Sequence, residues 1–165
     1  MRAAILSTFL GLGLAVMIGP AMAEDDGSLS EIQVQRAVKI FTEGARACDA
    51  APKVYRVDCY QVVFGKTARI FGKASAYWEA EVALTRVSRS LFTFVRGHTD
   101  KNLGKEKING SRIKAVTEAS LPEAQTLYVA AVDKAAGVLR GGTAVENRYF
   151  EPMADAVEAV RDKLN

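Results

Sequence analysis

The sequence predicts an all-α protein, an antiparallel bundle of about four helices in up-down-up-down order. Apolar residues recur at steps of three and four, which is the period of a helix buried along one side. Glycine and proline are sparse, and the alternating β-branched residues that mark strands are rare. Narrow, alanine-rich stripes joined by short links favour a bundle over other helical arrangements.

Residues 1–23 have the pattern of a cleaved secretory signal peptide. Arg2 gives a positive start, residues 5–18 are apolar, and Ala21-Met22-Ala23 offers small residues for cleavage. The apolar run is about 14 residues, whereas a membrane-spanning helix needs roughly 20, so an uncleaved anchor is the weaker alternative. We expect a single helical domain over 24–165 without a transmembrane segment, located in the periplasm or, alternatively, secreted.

The first helix should follow Ser28-Leu29-Ser30-Glu31, which has the spacing of a capping box. Pro52 is expected to end it or to follow it. The residues of its apolar stripe are Val34, Val38, Phe41, Ala45 and Cys48.

A long second helix is predicted over 58–96, with Asp58 as its N-cap. The apolar stripe keeps its phase across Gly72, which favours one helix bent or weakened at Gly65 and Gly72. Each internal glycine costs about 1 kcal/mol relative to alanine, so a break at Gly72 is the alternative. The stripe consists of Val63, Ile70, Ala74, Tyr77, Leu84, Val87, Leu91 and Phe94.

Two further helices complete the predicted bundle. Residues 98–110 form a loop with a turn at Asn109-Gly110, and a helix is expected to resume at Ser111. Capping boxes at 120–123 and 143–146 introduce the third and fourth helices, which Gly141-Gly142 separate. The apolar stripes are Leu121, Ala124, Tyr128, Ala131, Ala135 and Val138, then Phe150, Met153, Val157, Val160 and Leu164.

A proline and the unequal helix lengths should shape the two ends of this bundle. Pro152 lies inside the last helix and should kink it or restart it near Glu151. Because the first and last helices are short, residues 80–120 should project beyond them as a thinner helical hairpin.

Cys48 and Cys59 are the two cysteines of the chain. An even number in an exported protein favours a disulfide, and a helical hairpin would bring the two together. A metal pair and free buried thiols are the alternatives. The metal pair would need more ligands nearby, and the single histidine, His98, is distant in sequence. We therefore expect no metal and no cofactor.

The charge of the chain is unevenly distributed. Residues 86–117 carry a surplus of six positive charges, whereas residues 118–165 carry three negative charges in excess. This surplus predicts a contact surface for an acidic protein or an anionic envelope surface. The alternative is that the chain's own acids neutralise the surplus. The candidate contact residues are Arg86, Arg89, Arg96, Lys101, Lys105 and Lys107.

Signals for an enzyme are weak. His98 is interpreted as a solvated loop residue, and Glu79 and Glu81 point to different sides of a helix, which makes them a poor acid–base pair. Trp78 is expected to pack in the core, with a ligand pocket as the alternative. The sequence thus favours an exported, non-catalytic helical binding or adaptor protein of the bacterial cell envelope. The alternatives are an anion-binding module using the basic 86–117 hairpin and an enzyme of unrecognised type.

Overall fold

The computed structural model describes residues 29–164, most of which form five α-helices. The predicted all-α class is correct, but the predicted number of about four helices is too low because the expected second helix is two helices. Two single-turn 3₁₀ helices and one small β-hairpin complete this part of the chain, and the predicted signal peptide lies outside it. The helices are α1 Glu31–Asp49, α2 Lys53–Phe71, α3 Trp78–His98, α4 Leu121–Arg140 and α5 Ala144–Glu158. The strands are β1 Glu106–Ile108 and β2 Ser111–Ile113, and the 3₁₀ helices are Ser75–Tyr77 and Glu118–Ser120.

Each helix packs on the next one in the chain, and α5 returns to pack on α1. The apolar stripes predicted for the first and last helices face the core, which also holds aromatic rings in edge-to-face and tilted contacts. The ring centroids of Phe41 and Phe64 are 5.0 Å apart, and those of Tyr60 and Tyr128 are 5.3 Å apart. These contacts join α1, α2 and α4 into one hydrophobic core.

The predicted long helix over 58–96 is wrong, because the chain reverses between α2 and α3. Helix α2 ends at Phe71 with Gly72 as its C-cap, and a 3₁₀ turn leads into α3. Across this turn the rings of Phe71 and Tyr77 stack with centroids 5.4 Å apart. Both α2 and α3 bury their apolar residues in the same hydrophobic core. For this reason the spacing of apolar residues keeps its phase although the chain reverses between the two helices.

The start of α2 also differs from the prediction. Pro52 occupies the N-cap position and the helix begins at Lys53, so Asp58 lies inside it. Proline suits a helix start because the first backbone N–H groups have no partner within the helix. Asp58 is therefore available for a tertiary contact.

Of the three predicted capping boxes, the one at 143–146 is present, the one at 120–123 is absent, and Ser28 of the first lies outside the described residues. Thr143 accepts a hydrogen bond from the backbone N–H of Glu146, whose side chain accepts one in return from Thr143 N–H. Ser30 and Ser120 stand at N-cap positions, but their side chains do not cap. Helix α5 runs through Pro152, so the predicted restart near Glu151 is wrong.

Residues 99–116 fold back on themselves between α3 and α4, and we refer to them as the closed loop. Thr99 and Val116 form an isolated β-bridge at its base, and the backbone N–H of Asp100 donates to the carbonyl of Ala115 at 2.9 Å. Ser111 begins a strand, so the helix expected there is absent. Since α3 packs on both α2 and α4, residues 80–120 do not form a projecting helical hairpin.

The disulfide between Cys48 and Cys59 is confirmed. It joins the last turn of α1 to the second turn of α2, with the two Cα atoms 5.5 Å apart and both residues buried. Cross-linking a loop of this length stabilises a fold by about 3 kcal/mol through the entropy of the unfolded chain.

Candidate anion-binding surface

The β-hairpin of the closed loop turns at Asn109 and Gly110. Both residues have positive φ angles, 46° and 74°, as a two-residue type I′ turn requires. The predicted turn at Asn109-Gly110 is therefore confirmed. The register pairs Glu106 with Ile113, Lys107 with Arg112, and Ile108 with Ser111.

Two cations face each other on the outer side of this hairpin. Ile113 is buried and Ile108 is half-buried, so the alternate residues Lys107 and Arg112 lie on the exposed face. Directly opposed residues have Cβ atoms about 5 Å apart, and like charges there destabilise the pair. Neither side chain makes an ion pair with any residue of the described chain. An anion bound between them would relieve this repulsion.

Side-chain hydrogen bonds hold the closed loop against α2. The backbone N–H of Lys114 donates to Asp58 Oδ2 at 2.7 Å, and the Tyr55 hydroxyl donates to the carbonyl of Gly104 at 2.8 Å. Lys66 Nζ lies 3.4 Å from the carbonyl of Asn109 at the turn. The exposed cations thus stand on a loop whose backbone is fixed at three points.

Asp58 is the most buried carboxylate in this anchor, with 7% of its surface exposed. Desolvation raises the pKa of its carboxyl above the ordinary value of 3.8. The hydrogen bond from Lys114 N–H and the charges of Lys114 and Lys105 act in the opposite direction and offset this only in part. Asp58 therefore contributes chiefly as a hydrogen-bond acceptor.

The structure divides the six candidate contact residues between two surfaces, although all six are exposed. Lys101, Lys105 and Lys107 belong to the closed loop, where Arg112 joins them. Arg86, Arg89 and Arg96 lie on α3. The Arg96 guanidinium lies 5.8 Å from the ring centroid of Phe92, which is close enough for a cation–π contact.

Arg86 and Arg89 line a groove of about 290 Å³ between α3 and α4. Lys134 of α4 provides a third cation, which the sequence analysis missed because it lies in the net-acidic segment. The other lining residues are apolar or small: Ala83, Val87, Ser90, Ala131, Ala135 and Val138. We call this surface the α3–α4 groove.

The acids of residues 118–164 pair mainly within their own segment. Arg140 contacts Asp155 at 2.6 Å and Glu158 at 2.8 Å. Arg161 holds Asp133 at 2.6 Å and lowers the pKa of that carboxyl. Among the described residues, one ion pair joins this segment to residues 86–117, between His98 Nε2 and Glu123 at 3.7 Å. Direct ion pairs therefore leave the basic surplus almost unneutralised.

His98 and Trp78 differ from their expected places. His98 is the last residue of α3 and is half-buried, with its ring stacked on Phe94 at 4.1 Å between centroids. Trp78 begins α3 and is 65% exposed, so its predicted core position is wrong. The core position was expected for a single helix running through residue 78, whereas the chain turns at 75–77 and α3 begins at Trp78.

A second groove, of about 440 Å³, lies between the start of α1 and the end of α2. Arg36, Arg69 and Lys73 line it beside Ile32, an isoleucine that is 79% exposed. The basic spacing of Arg69 and Lys73 is visible in the sequence, but the approach of Arg36 depends on how α1 packs on α2.

Residues 29–164 contain no cluster of three or more histidine, cysteine or acidic side chains placed to hold a metal ion. None of the helices described above is both long and apolar enough to cross a membrane. No family model, curated protein or solved structure matches the chain.

Proposed function

We propose that the protein is an exported, non-catalytic binding protein of the bacterial cell envelope that attaches to a phosphate-bearing membrane surface through its β-hairpin. The observation that carries this proposal is the opposition of Lys107 and Arg112 on the exposed face of the hairpin. A pair of unneutralised cations on a fixed backbone is suited to a phosphate group that lies between them.

The chemistry of the two side chains supports a phosphate ligand. The planar guanidinium of Arg112 can donate two parallel hydrogen bonds to phosphate oxygens, and the ammonium of Lys107 adds a compact charge. Lys101 and Lys105 extend the positive field along the same loop. Because the backbone is already held by Asp58, little conformational entropy is lost when the ligand binds.

The expected loss of affinity follows from the number of charges removed. A basic residue near an anionic membrane contributes about 1 kcal/mol. Replacing both Lys107 and Arg112 with glutamine should therefore weaken binding by roughly 30-fold. The effect should shrink at high salt, since ions screen exposed charges beyond the first few ångströms.

The test is cosedimentation of the chain 24–165 with vesicles of phosphatidylglycerol and phosphatidylcholine, compared with phosphatidylcholine alone. The matched control is Lys39→Gln with Arg148→Gln, which removes the same charge from exposed positions on α1 and α5. The hairpin variant should lose binding and the control should keep it. Equal losses would show that net charge alone drives binding, and absence of binding to anionic vesicles would reject the membrane as the ligand.

The triple variant Lys101→Gln, Lys105→Gln, Lys107→Gln tests the loop as a whole. It should fold normally, because exposed loop charges contribute little to stability. Its binding to anionic vesicles should be weaker, most clearly at low salt. Unchanged binding at every salt concentration would exclude the loop as the site.

The proposed location has its own test. The protein purified from a periplasmic extract should begin at Glu24, as cleavage after Ala23 requires. Mass spectrometry of the intact protein decides this. A membrane-bound chain that retains residues 1–23 would contradict export by cleavage.

A further inference from the structure

We infer that the α3–α4 groove is a second binding site, separate from the hairpin, which takes an amphipathic helix of a partner protein with acidic residues beside its apolar stripe. The groove is walled by residues 83–90 of α3 and 131–138 of α4. Each wall is therefore about two helical turns, or roughly 10 Å, long. His98 at the end of α3 meets Glu123 at the start of α4, so the walls run antiparallel.

The groove has an apolar floor between its two basic walls. Ala83 and Val87 of α3 and Ala135 of α4 are buried in the core and close the floor from below. Ser90, Ala131 and Val138 are half-buried and supply its accessible surface. Because these accessible residues are small, the apolar side chains of an incoming helix can contact the floor, as in ridges-into-grooves packing.

The positive charge of the groove walls indicates that the partner helix carries acidic residues on both sides of its apolar stripe. Arg86 and Arg89 stand on one wall and Lys134 on the other, and no acidic residue lines the groove. None of the three makes an ion pair within the described chain. The nearest acid along α4, Asp133, is held by Arg161 at 2.6 Å. A helix with acids on both sides of its apolar stripe would satisfy both walls.

The probe for this site is a fluorescein-labelled, helix-forming peptide with leucines at i, i+3, i+4 and i+7 and glutamates on both flanks. Binding to the chain 24–165 is measured by fluorescence anisotropy. Two groove variants are used, Ala131→Trp to fill the groove and Arg86→Glu with Lys134→Glu to reverse its charge. Each should weaken binding at least about tenfold relative to the unmodified chain.

Two controls define the site. Arg96→Glu with Lys39→Glu changes the net charge equally outside the groove and should bind like the unmodified chain. A peptide with lysines in place of the glutamates should not bind. Because Arg86 and Lys134 are exposed, the charge-reversed variant should fold, and its thermal unfolding temperature is measured alongside.

Several results would overturn the inference. The peptide should bind the Lys107→Gln, Arg112→Gln variant normally, so a loss there would place it on the hairpin instead. Failure of the peptide to bind, or binding that both groove variants leave unchanged, would reject the site. Saturable uptake of dodecanoate without peptide binding would assign the groove to an acyl chain. Dimerisation that Ala131→Trp abolishes would assign it to a second copy of the chain.

Discussion

Replacing Asp58 with alanine should release the closed loop from α2, whereas replacing it with asparagine should not. Asp58 Oδ2 accepts the backbone N–H of Lys114 at 2.7 Å, one residue beyond β2. Alanine removes the acceptor and leaves that N–H without its partner. Asparagine keeps a carbonyl oxygen in nearly the same place.

The magnitude follows from this single contact. A backbone donor left without its partner costs about 1–3 kcal/mol, which for a chain of this size lowers the unfolding temperature by roughly 3–10 °C. The Asp58→Asn variant should lose less than about 1 kcal/mol. Asparagine loses the attraction between the Asp58 carboxylate and the charges of Lys105 and Lys114. It also removes a negative charge whose burial is unfavourable, and the two effects partly cancel.

The pH dependence provides a second measurement on the same residue. Burial raises the pKa of folded Asp58 above 3.8, so the folded state holds its proton to higher pH than the unfolded chain. Ionisation therefore costs stability at neutral pH, and this cost is absent below pH 3.8. As pH rises from 3.8 through the folded pKa, the unmodified protein should lose stability relative to Asp58→Asn.

Urea unfolding of the unmodified protein and of both variants at several pH values gives these free energies, and hydrogen exchange at Lys114 N–H reports on the loop directly. Exchange should accelerate in Asp58→Ala and stay slow in Asp58→Asn. If asparagine costs as much as alanine, the charge of Asp58 rather than its acceptor oxygen holds the loop, and our account of the anchor is refuted.

The remaining predictions concern the bundle. Reduction of the bond between Cys48 and Cys59 should lower the free energy of unfolding by about 3 kcal/mol; two free thiols in the denatured, unreduced protein would contradict the bond. Phe41→Ala should cost roughly 3–5 kcal/mol in chemical denaturation because the ring is fully buried. Glu158→Ala should cost under about 1 kcal/mol because its ion pair is exposed, and equal midpoint shifts in these two variants would show the assigned core to be wrong. Thr143→Ala should lower the unfolding temperature by an amount equivalent to about 1 kcal/mol through loss of the helix cap, and an unchanged temperature would show that the cap contributes nothing.

The helical class and the buried stripes were predictable because each depends on local spacing. Phe41 and Phe150 were correctly assigned to the core for that reason. The reversal between α2 and α3 was missed because a short turn that preserves the apolar phase looks, in sequence, like a continuous helix. Gly72 was the one residue in the sequence that indicated a helix end at this point. A glycine there fits both a weakened helix and a helix end, and the C-cap at Gly72 and the stacking of Phe71 on Tyr77 in the structure show that it is a helix end.

The candidate site was predictable only in part. The density of lysine in 101–107 is a local property and was found. The pairing of Lys107 with Arg112 depends on the hairpin register, and three-residue strands are too short to show alternation. The approach of Lys134 to Arg86 and the hydrogen bond from Lys114 to Asp58 are tertiary contacts between distant parts of the chain, and no local pattern reports them.

The closure of residues 99–116 separates the exposed turn of this segment from the path of the helices. Because the chain leaves α3 and returns toward α4 through the bridge between Thr99 and Val116, the turn at Asn109 and Gly110 can be lengthened or replaced without altering either helix, whereas the buried Ile113 belongs to the core. Related chains could therefore differ in the exposed residues of this hairpin while keeping the same five helices and a buried residue at the position of Ile113. A hairpin that keeps that buried residue and the Lys114 contact with Asp58, but carries other exposed side chains, would redirect the same scaffold to another ligand.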